Sequence, residues 1–435
     1  MPSITALATR LTGKGNRDEL MDAASIREIV RSSVEEWPVR APARVLGIIP
    51  DKTRTFSPQV IHELLAACQD RGLHLDFLIA TGTHAPMTDA ESAYFLKSAG
   101  HEDLFRNAII ANHTTDPSDL VSLGTLEASE VRELSGGLLT DEIPVRMNRM
   151  ALEYDMLVVI GPVFPHEVIG MSGGWKYFFP GISGAELIDH SHWLGALHGI
   201  GNIIGRSETP VRRLVERAGM LVLARRPVSC FSLVLGPRGL HGLFHGDPVE
   251  SHRAAARLSR DVNVVWTDRR YKRVVAQCPA KYDELWTGGK LAYKTQEVVK
   301  LGGQIVLHAP HLDLIAPQHP DVEKIGYHCL DYFTGQWERF KNTERSSLAH
   351  STHVSGPGVY QDGVETLHAR RVLASKVSPA HCASINLDYL PPESIDFTTH
   401  QPFGDDEDTL WVPKAGEQLY LPGDKRSEFE QAVDS

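Results

Sequence analysis

The sequence predicts a two-domain α/β protein with mixed or parallel sheets and an active-site cleft between the domains. Three observations predict it. The chain has 435 residues, too many for one ordinary core. Short strand-like apolar runs alternate with amphipathic helical stretches. Polar, glycine-containing motifs stand where the apolar runs end, which is where ligands gather in α/β sheets.

In chain order, Ile26-Arg27-Glu28-Ile29-Val30 has a helical pattern, and Val45 to Pro50 is a buried strand ending in Asp51-Lys52-Thr53-Arg54. A helix follows from about Ser57 to Asp70, then a strand from Leu75 to Ala80 that ends in Thr81-Gly82-Thr83-His84. Thr88, with Glu91 three residues on, is the N-cap of the next helix. Ala108 to Ala111 and Met156 to Ile160 supply two more strands. The first domain, 1–245, closes at the glycine-rich stretch Gly236 to Gly242.

The second, 246–435, offers a helix near Val249 to Ser259 and strands at Val262 to Trp266 and Val274 to Ala276. A helix from Tyr282 to Lys300 and a strand from Gln304 to His308 follow. Asp396 to Asp424, rich in Pro, Gly and acids, is expected to wrap the surface as a tail without a core of its own.

Composition excludes several classes. The apolar fraction of 42% and charged fraction of 23% are those of a globular protein. A net charge of −11 opposes a nucleic-acid footprint, so an anionic substrate needs a local basic pocket. No apolar run approaches the roughly 20 residues of a membrane helix. Met1 to Arg17 lacks the apolar core of a secretory signal, and a cytoplasmic location is expected. The five scattered cysteines form no C-x-x-C pair and read as reduced, buried thiols.

Chemistry concentrates between Pro165 and His192. Gly173 and Gly174 let backbone approach a bound group, and Lys176 stands among Trp175, Tyr177, Phe178 and Phe179. Such surroundings can depress an ammonium pKa and leave a nucleophilic amine. The plainer alternative is a glycine loop closing onto a helix, with Lys176 a surface cation. His190 and His192 would lie on one face of a strand but about 200° apart on a helix. The helical context therefore offers one of them to a metal, and imidazole does not discriminate nickel, copper and zinc.

His84 and His166 each follow a strand, as paired acid and base groups for a stereocentre would; either could equally be a loop or capping residue. Arg54 and Lys290 are candidate carboxylate binders, with a solvated face the alternative for Lys290. Trp286 and Trp337 either stack on a ring or simply pack. The pairs His308/His311 and His350/His353 have ligand-like spacing but no completing residues, and read as structural.

Three motifs, in order, carry a resemblance: Asp51 to Arg54, Thr81 to Thr88, and Pro165 to His192, continuing thinly through Lys290 and Gly302-Gly303. Together they resemble the nickel-pincer-dependent lactate racemase family, with its 2-hydroxy acid racemase and epimerase relatives. The resemblance implies an isomerase that racemises or 2-epimerises a small 2-hydroxy acid by reversible hydride transfer to a lysine-tethered nickel-pincer nucleotide. That cofactor is a pyridinium-3-thioamide-5-thiocarboxylic acid mononucleotide holding nickel.

By position, Lys176 looks like the attachment lysine and His192 like the nickel ligand. His84 and His166 resemble the catalytic pair, and Arg54 and Lys290 the substrate-binding cations. Asp51, Thr53, Gly173, Gly174, Thr287 and Trp337 fall at cofactor-binding positions. Cofactor-maturation enzymes are implied as partners, and self-association is left open.

Where the lactate enzymes tend to carry Gln and Tyr beside the second-domain lysine, this chain has Thr287 and Trp286, and bulky Trp175, Tyr177 and Phe178 flank Lys176. These departures suggest a substrate larger than lactate, such as a sugar acid. Two competing classes share the same residues: a hydrolase or lyase whose histidines hold a divalent metal directly, and a non-catalytic module that binds organic acids.

Overall fold

The computed structural model describes residues 10–398 and 408–434, with the backbone alone for 431–434. The start of Met1 to Arg17, and 399–407 of the expected tail, lie outside the described residues. The chain divides into two compact units. The first comprises residues up to Phe164, Met171–Ser191 and Pro210–Val262; the second comprises Pro165–Gly170, His192–Thr209 and the chain from Asn263. Both are discontinuous, in contrast to the single boundary expected after 245.

In the first unit, apolar runs buried on both faces become the middle of a seven-stranded sheet. Its strands and neighbouring helices are β1 (Thr12–Gly15), α1 (Ala23–Glu35), β2 (Ala43–Pro50), α2 (Pro58–Asp70), β3 (Leu73–Ala80), β4 (Ile110–Asn112), β5 (Met156–Pro162), α3 (Ala185–His198), α4 (Pro210–Leu223), β6 (Val228–Gly236) and β7 (Gly239–Gly246). The strand order is β1-β7-β6-β5-β2-β3-β4. The run from β6 to β4 is parallel, and β7 turns back antiparallel between β6 and β1.

Gly236 to Gly242, expected to separate the domains, is instead the tight turn of the β6–β7 hairpin. The run of glycines serves strand reversal, and both flanking strands stay in one sheet. Asp22 caps α1 by accepting the Ser25 N–H. Thr88 and Glu91 form the expected capping box.

The second unit holds a five-stranded parallel sheet. After α5 (Glu250–Asn263), which belongs to the first unit up to Val262, chain order gives β8 (Val264–Thr267), β9 (Tyr271–Gln277), α6 (Leu285–Gly288), α7 (Lys290–Tyr293), β10 (Val299–Ala309), α8 (Arg345–Ser355), β11 (Ala369–Ser375), β12 (Asp388–Tyr389), β13 (Thr409–Val412) and β14 (Leu419–Pro422). The sheet order is β12-β11-β10-β9-β13.

Two expectations are corrected here. The helix expected from Tyr282 to Lys300 is two single turns, α6 and α7, followed by the early start of β10. The break falls at Gly288-Gly289, where a Cβ on Gly289 would lie 2.7 Å from Val354 and 3.0 Å from His350. The tail is not a surface wrap over its described part. β13 pairs with β9 and β14 with β8, and Leu410, Val412 and Leu419 are core residues. Their alternation with polar residues is too short to stand out in a segment dominated by Pro, Gly and acids.

All five cysteines are free and buried. Among the described residues no helix is long and apolar enough to cross a membrane.

Asp76, wholly buried on β3, accepts hydrogen bonds from the Tyr154 hydroxyl at 2.7 Å and the Ile109 N–H at 2.7 Å, and faces His74 at 3.0 Å. Asp76→Ala would strand the buried Tyr154 hydroxyl and remove the bond to the Ile109 N–H, so it should cost about 2 kcal/mol. Urea denaturation is expected to show a lower midpoint with an unchanged slope.

Candidate functional site

The first unit builds its polar cluster at the ends of two adjacent parallel strands. After β2, Asp51 folds back on its own turn: Oδ1 accepts the Thr53 N–H at 2.8 Å, and the backbone carbonyl accepts the Arg54 N–H at 3.2 Å. After β3, the His84 N–H donates to the Thr81 carbonyl at 2.9 Å, which brings the ring to Asp51 Oδ2 at 2.7 Å from Nδ1.

Burial would raise the Asp51 carboxyl. The His84 ring, its hydrogen bond and Arg54 outweigh that and hold the group well below the usual carboxylate range. A carboxylate can only accept, so Nδ1 of His84 carries a proton, and in the neutral ring Nε2 keeps the lone pair. Arg54 lies over the Phe164 ring at 5.2 Å, whereas Lys52 is turned to Glu91 at 2.6 Å. Thr53 Oγ1 is buried without a hydrogen-bond partner among the described residues.

The Lys176 turn is set by packing. From Met171 to Gly184 every residue is buried except Lys176. Its neighbours are pinned in glycine notches: a Cβ on Gly219 would lie 2.4 Å from the Trp175 indole, and one on Gly161 would lie 2.2 Å from the Tyr177 ring. The Arg212 guanidinium, itself buried, donates to the Gly173 carbonyl at 3.2 Å, to the Met171 carbonyl, and to His252 Nε2 at 3.0 Å. Lys176 O accepts the Gly181 N–H at 3.1 Å, and Gly181 O accepts the Gly82 N–H at 3.0 Å, which ties this turn to the loop carrying His84.

Burial pushes the Tyr177 phenol far up, in the fields of Arg54 and Asp51. Trp175 and Phe178 point into the core, so the expectation that they shape a substrate pocket is not met. Gly173 (φ +93°) and Gly174 (φ +59°) are explained locally. A Cβ on them would meet Val163 at 2.5 Å and the Pro248 carbonyl at 2.7 Å, so the space they leave is filled by protein.

In the second unit, His166 is buried, its Nδ1 accepting the Val168 N–H at 3.2 Å and facing Glu167 Oε2 at 3.5 Å. The preceding carbonyl, Pro165 O, accepts from the fully buried Lys294 ammonium. The segment bearing His190 and His192 is helical, as expected. His190 Nδ1 bonds the Glu186 carbonyl at 2.7 Å within the first unit, and His192 falls in the second. Next to His192, Trp193 stacks on Trp337 at 5.7 Å.

Lys290 is buried, 3.5 Å from the Thr287 carbonyl and over the Tyr282 ring at 5.0 Å, not on a solvated face. The Thr287 hydroxyl is committed to the Glu284 carbonyl at 3.0 Å. Trp286 is stacked between His319 at 3.7 Å and His350 at 4.2 Å.

Burial lowers His350 well below the usual range and His353 to about 4, keeping both rings neutral. His308 and His311 bond backbone carbonyls at 3.2 and 2.9 Å. Among the described residues no three His, Cys, Asp or Glu side chains are grouped as a metal cage.

The first unit therefore brings Asp51, Thr53, Arg54 and His84 together, with the Lys176 turn bonded to the same loop. The second carries His166, His192, Thr287, Lys290 and Trp337. Sequence reasoning missed Asp51 as the partner of His84 and Glu167 as a neighbour of His166. The signal for Asp51 was an acid at the end of a strand buried on both faces.

A parallel-strand α/β protein with a pinned lysine turn and a carboxylate-backed histidine is the class that fold and site define. Residues 14–201 match the lactate racemase N-terminal domain, and over that span the chain resembles the lactate racemase family. It is 27% identical over 274 residues to lactate racemase of Lactiplantibacillus plantarum, covering 60% of this chain and 58% of that protein. Against lactate racemase of Thermoanaerobacterium thermosaccharolyticum it is 32% identical over 144 residues, covering 33% and 29%. The chain thus matches less than two thirds of either curated relative.

A crystal structure of a Thermotoga maritima protein matches with a TM-score of 0.85 and 30% identity, covering 94% of this chain and all of that one. The lactate racemase apoprotein of T. thermosaccharolyticum shares the fold, with a TM-score of 0.67 at 15% identity over 97% and 96% of the two chains.

A carboxylate held low contributes stability above its ordinary value of 3.8, and that contribution is lost as pH falls through the folded value. Asp51→Asn is therefore expected to be less stable at pH 7 and to lose stability less steeply below about pH 4. Thermal melts of both proteins across that range test the crossover.

Proposed function

We propose that the protein racemises or 2-epimerises a 2-hydroxy acid, with a nickel-pincer nucleotide carried on Lys176. The observation that supports this reading best is the exposure pattern. From Met171 to Gly184, Lys176 alone is partly exposed in a stretch otherwise buried, and both its neighbours are locked in place. An attachment point needs that combination of access and rigidity. The donor set suits the group as well: His192 offers an imidazole to nickel, Trp337 a ring stacked on Trp193, and Thr53 a buried hydroxyl without a hydrogen-bond partner among the described residues.

When bound, the group supplies a reversible acceptor for the hydride of carbon 2. The chain's own residues do the rest. Arg54 and Lys290 hold the substrate carboxylate, Lys290 from a buried position over the Tyr282 ring. His84, fixed by Asp51, presents Nε2 to the substrate hydroxyl and takes its proton, which avoids a carbanion beside the carboxylate. His166 exchanges the proton for the other enantiomer.

Mass spectrometry of protein co-produced with the cofactor-building enzymes is expected to find an adduct on Lys176, absent in Lys176→Ala. An unmodified lysine in matured protein would refute the reading. A panel of 2-hydroxy acids from lactate to sugar acids should show inversion at carbon 2 alone. His84→Gln should lower turnover by roughly a hundredfold or more.

A further inference from the structure

The two histidines are held differently, and the difference has chemical content. His84 Nδ1 is 2.7 Å from Asp51 Oδ2, so its proton is on Nδ1 and Nε2 is ready to accept another. His166 Nδ1 accepts the Val168 N–H at 3.2 Å, so the neutral ring carries its proton on Nε2. In that tautomer Nε2 has no lone pair to offer. Glu167 Oε2 faces the same Nδ1 at 3.5 Å, too far to compete with the backbone bond at rest and close enough to take over.

We propose that the acid–base histidines rest in opposite tautomers, and that Glu167 is the positioning residue that arms His166. This rests on the racemase reading for its catalytic consequence, although the tautomers themselves do not. Arming moves the single ring proton from Nε2 to Nδ1 by exchange with water. The Val168 bond is broken, an Nδ1–H bond to Glu167 forms, and Nε2 is left with a lone pair.

The hydroxyl proton of the substrate then passes to Nε2, giving an imidazolium whose Nδ1–H remains on Glu167. Both working forms of His166 need Glu167, and neither can use the Val168 N–H. The side chain is placed for this: Glu167 and His166 are largely shielded from water, which strengthens a charge-assisted bond. His350 and His353 of α8, which also feel the Glu167 charge, are kept neutral by burial.

The tautomers are read directly in cofactor-free protein labelled with ¹⁵N-histidine, by long-range proton–nitrogen correlation. His166→Gln and His84→Gln assign the two rings. His84 is expected to show a protonated Nδ1 and His166 a protonated Nε2; a protonated Nδ1 on His166 in the resting protein would overturn the proposal, whatever the protein's activity.

In matured enzyme, single-turnover keto acid formation from D- and L-lactate separates the roles. Glu167→Gln should slow it roughly tenfold to a hundredfold with one enantiomer and leave it within about twofold with the other. Glu167→Asp should restore part of the loss, and Asp51→Asn should give the reverse preference. Equal slowing of both enantiomers would reduce Glu167 to a structural role and sink the idea.

Discussion

Everything in the proposed chemistry depends on a lysine whose backbone cannot move. Lysine is the least constrained of side chains, and ordering it costs up to about 2 kcal/mol in rotamer entropy alone. The protein meets that difficulty one residue to either side. Trp175 and Tyr177 occupy notches that exist only because positions 219 and 161 are glycine. Burying two such rings stabilises the turn by several kcal/mol, roughly 1.5 to 3 each. Arg212 adds a second restraint by gripping the carbonyls of Met171 and Gly173. A buried guanidinium bonded to carbonyls is expensive on stability grounds. Its position under the lysine turn gives a reason for keeping it there.

Legibility in the sequence follows the range of the forces involved. β2, β3 and β5 could be read because a strand buried on both faces is a continuous apolar run, and the capping box at Thr88 because four residues suffice to form it. What misled was decided across the fold. Position 289 must be glycine because Val354 and His350, more than sixty residues on, occupy the space a side chain would need. β13 and β14 are strands because β9 and β8 offer edges to pair with, and nothing local in an acidic, proline-containing stretch announces that.

The candidate site divides the same way. His84, His166, Lys176 and Arg54 stood out as reactive side chains at strand ends and in a glycine-bounded turn. The roles of the groups that tune them did not. Asp51 and Glu167 are ordinary acids in a list of residues, and their meaning comes from which ring nitrogen each one faces. At Gly173 and Gly174 packing alone already requires glycine, because Val163 and Pro248 fill the space a side chain would need.

An aromatic ring has two faces, and counting them settles which tryptophan of the second unit can still stack on another ring. His319 and His350 lie within 4.2 Å of the Trp286 ring in near-parallel planes. Two imidazoles that close cannot share a face, so they cover opposite ones, and Trp286 is consumed as the centre of a sandwich. Trp337 gives one face to Trp193, beside His192, and is only half-buried. Among the described residues no other ring covers it. Of the two tryptophans that the sequence offered for stacking, Trp337 therefore retains the capacity.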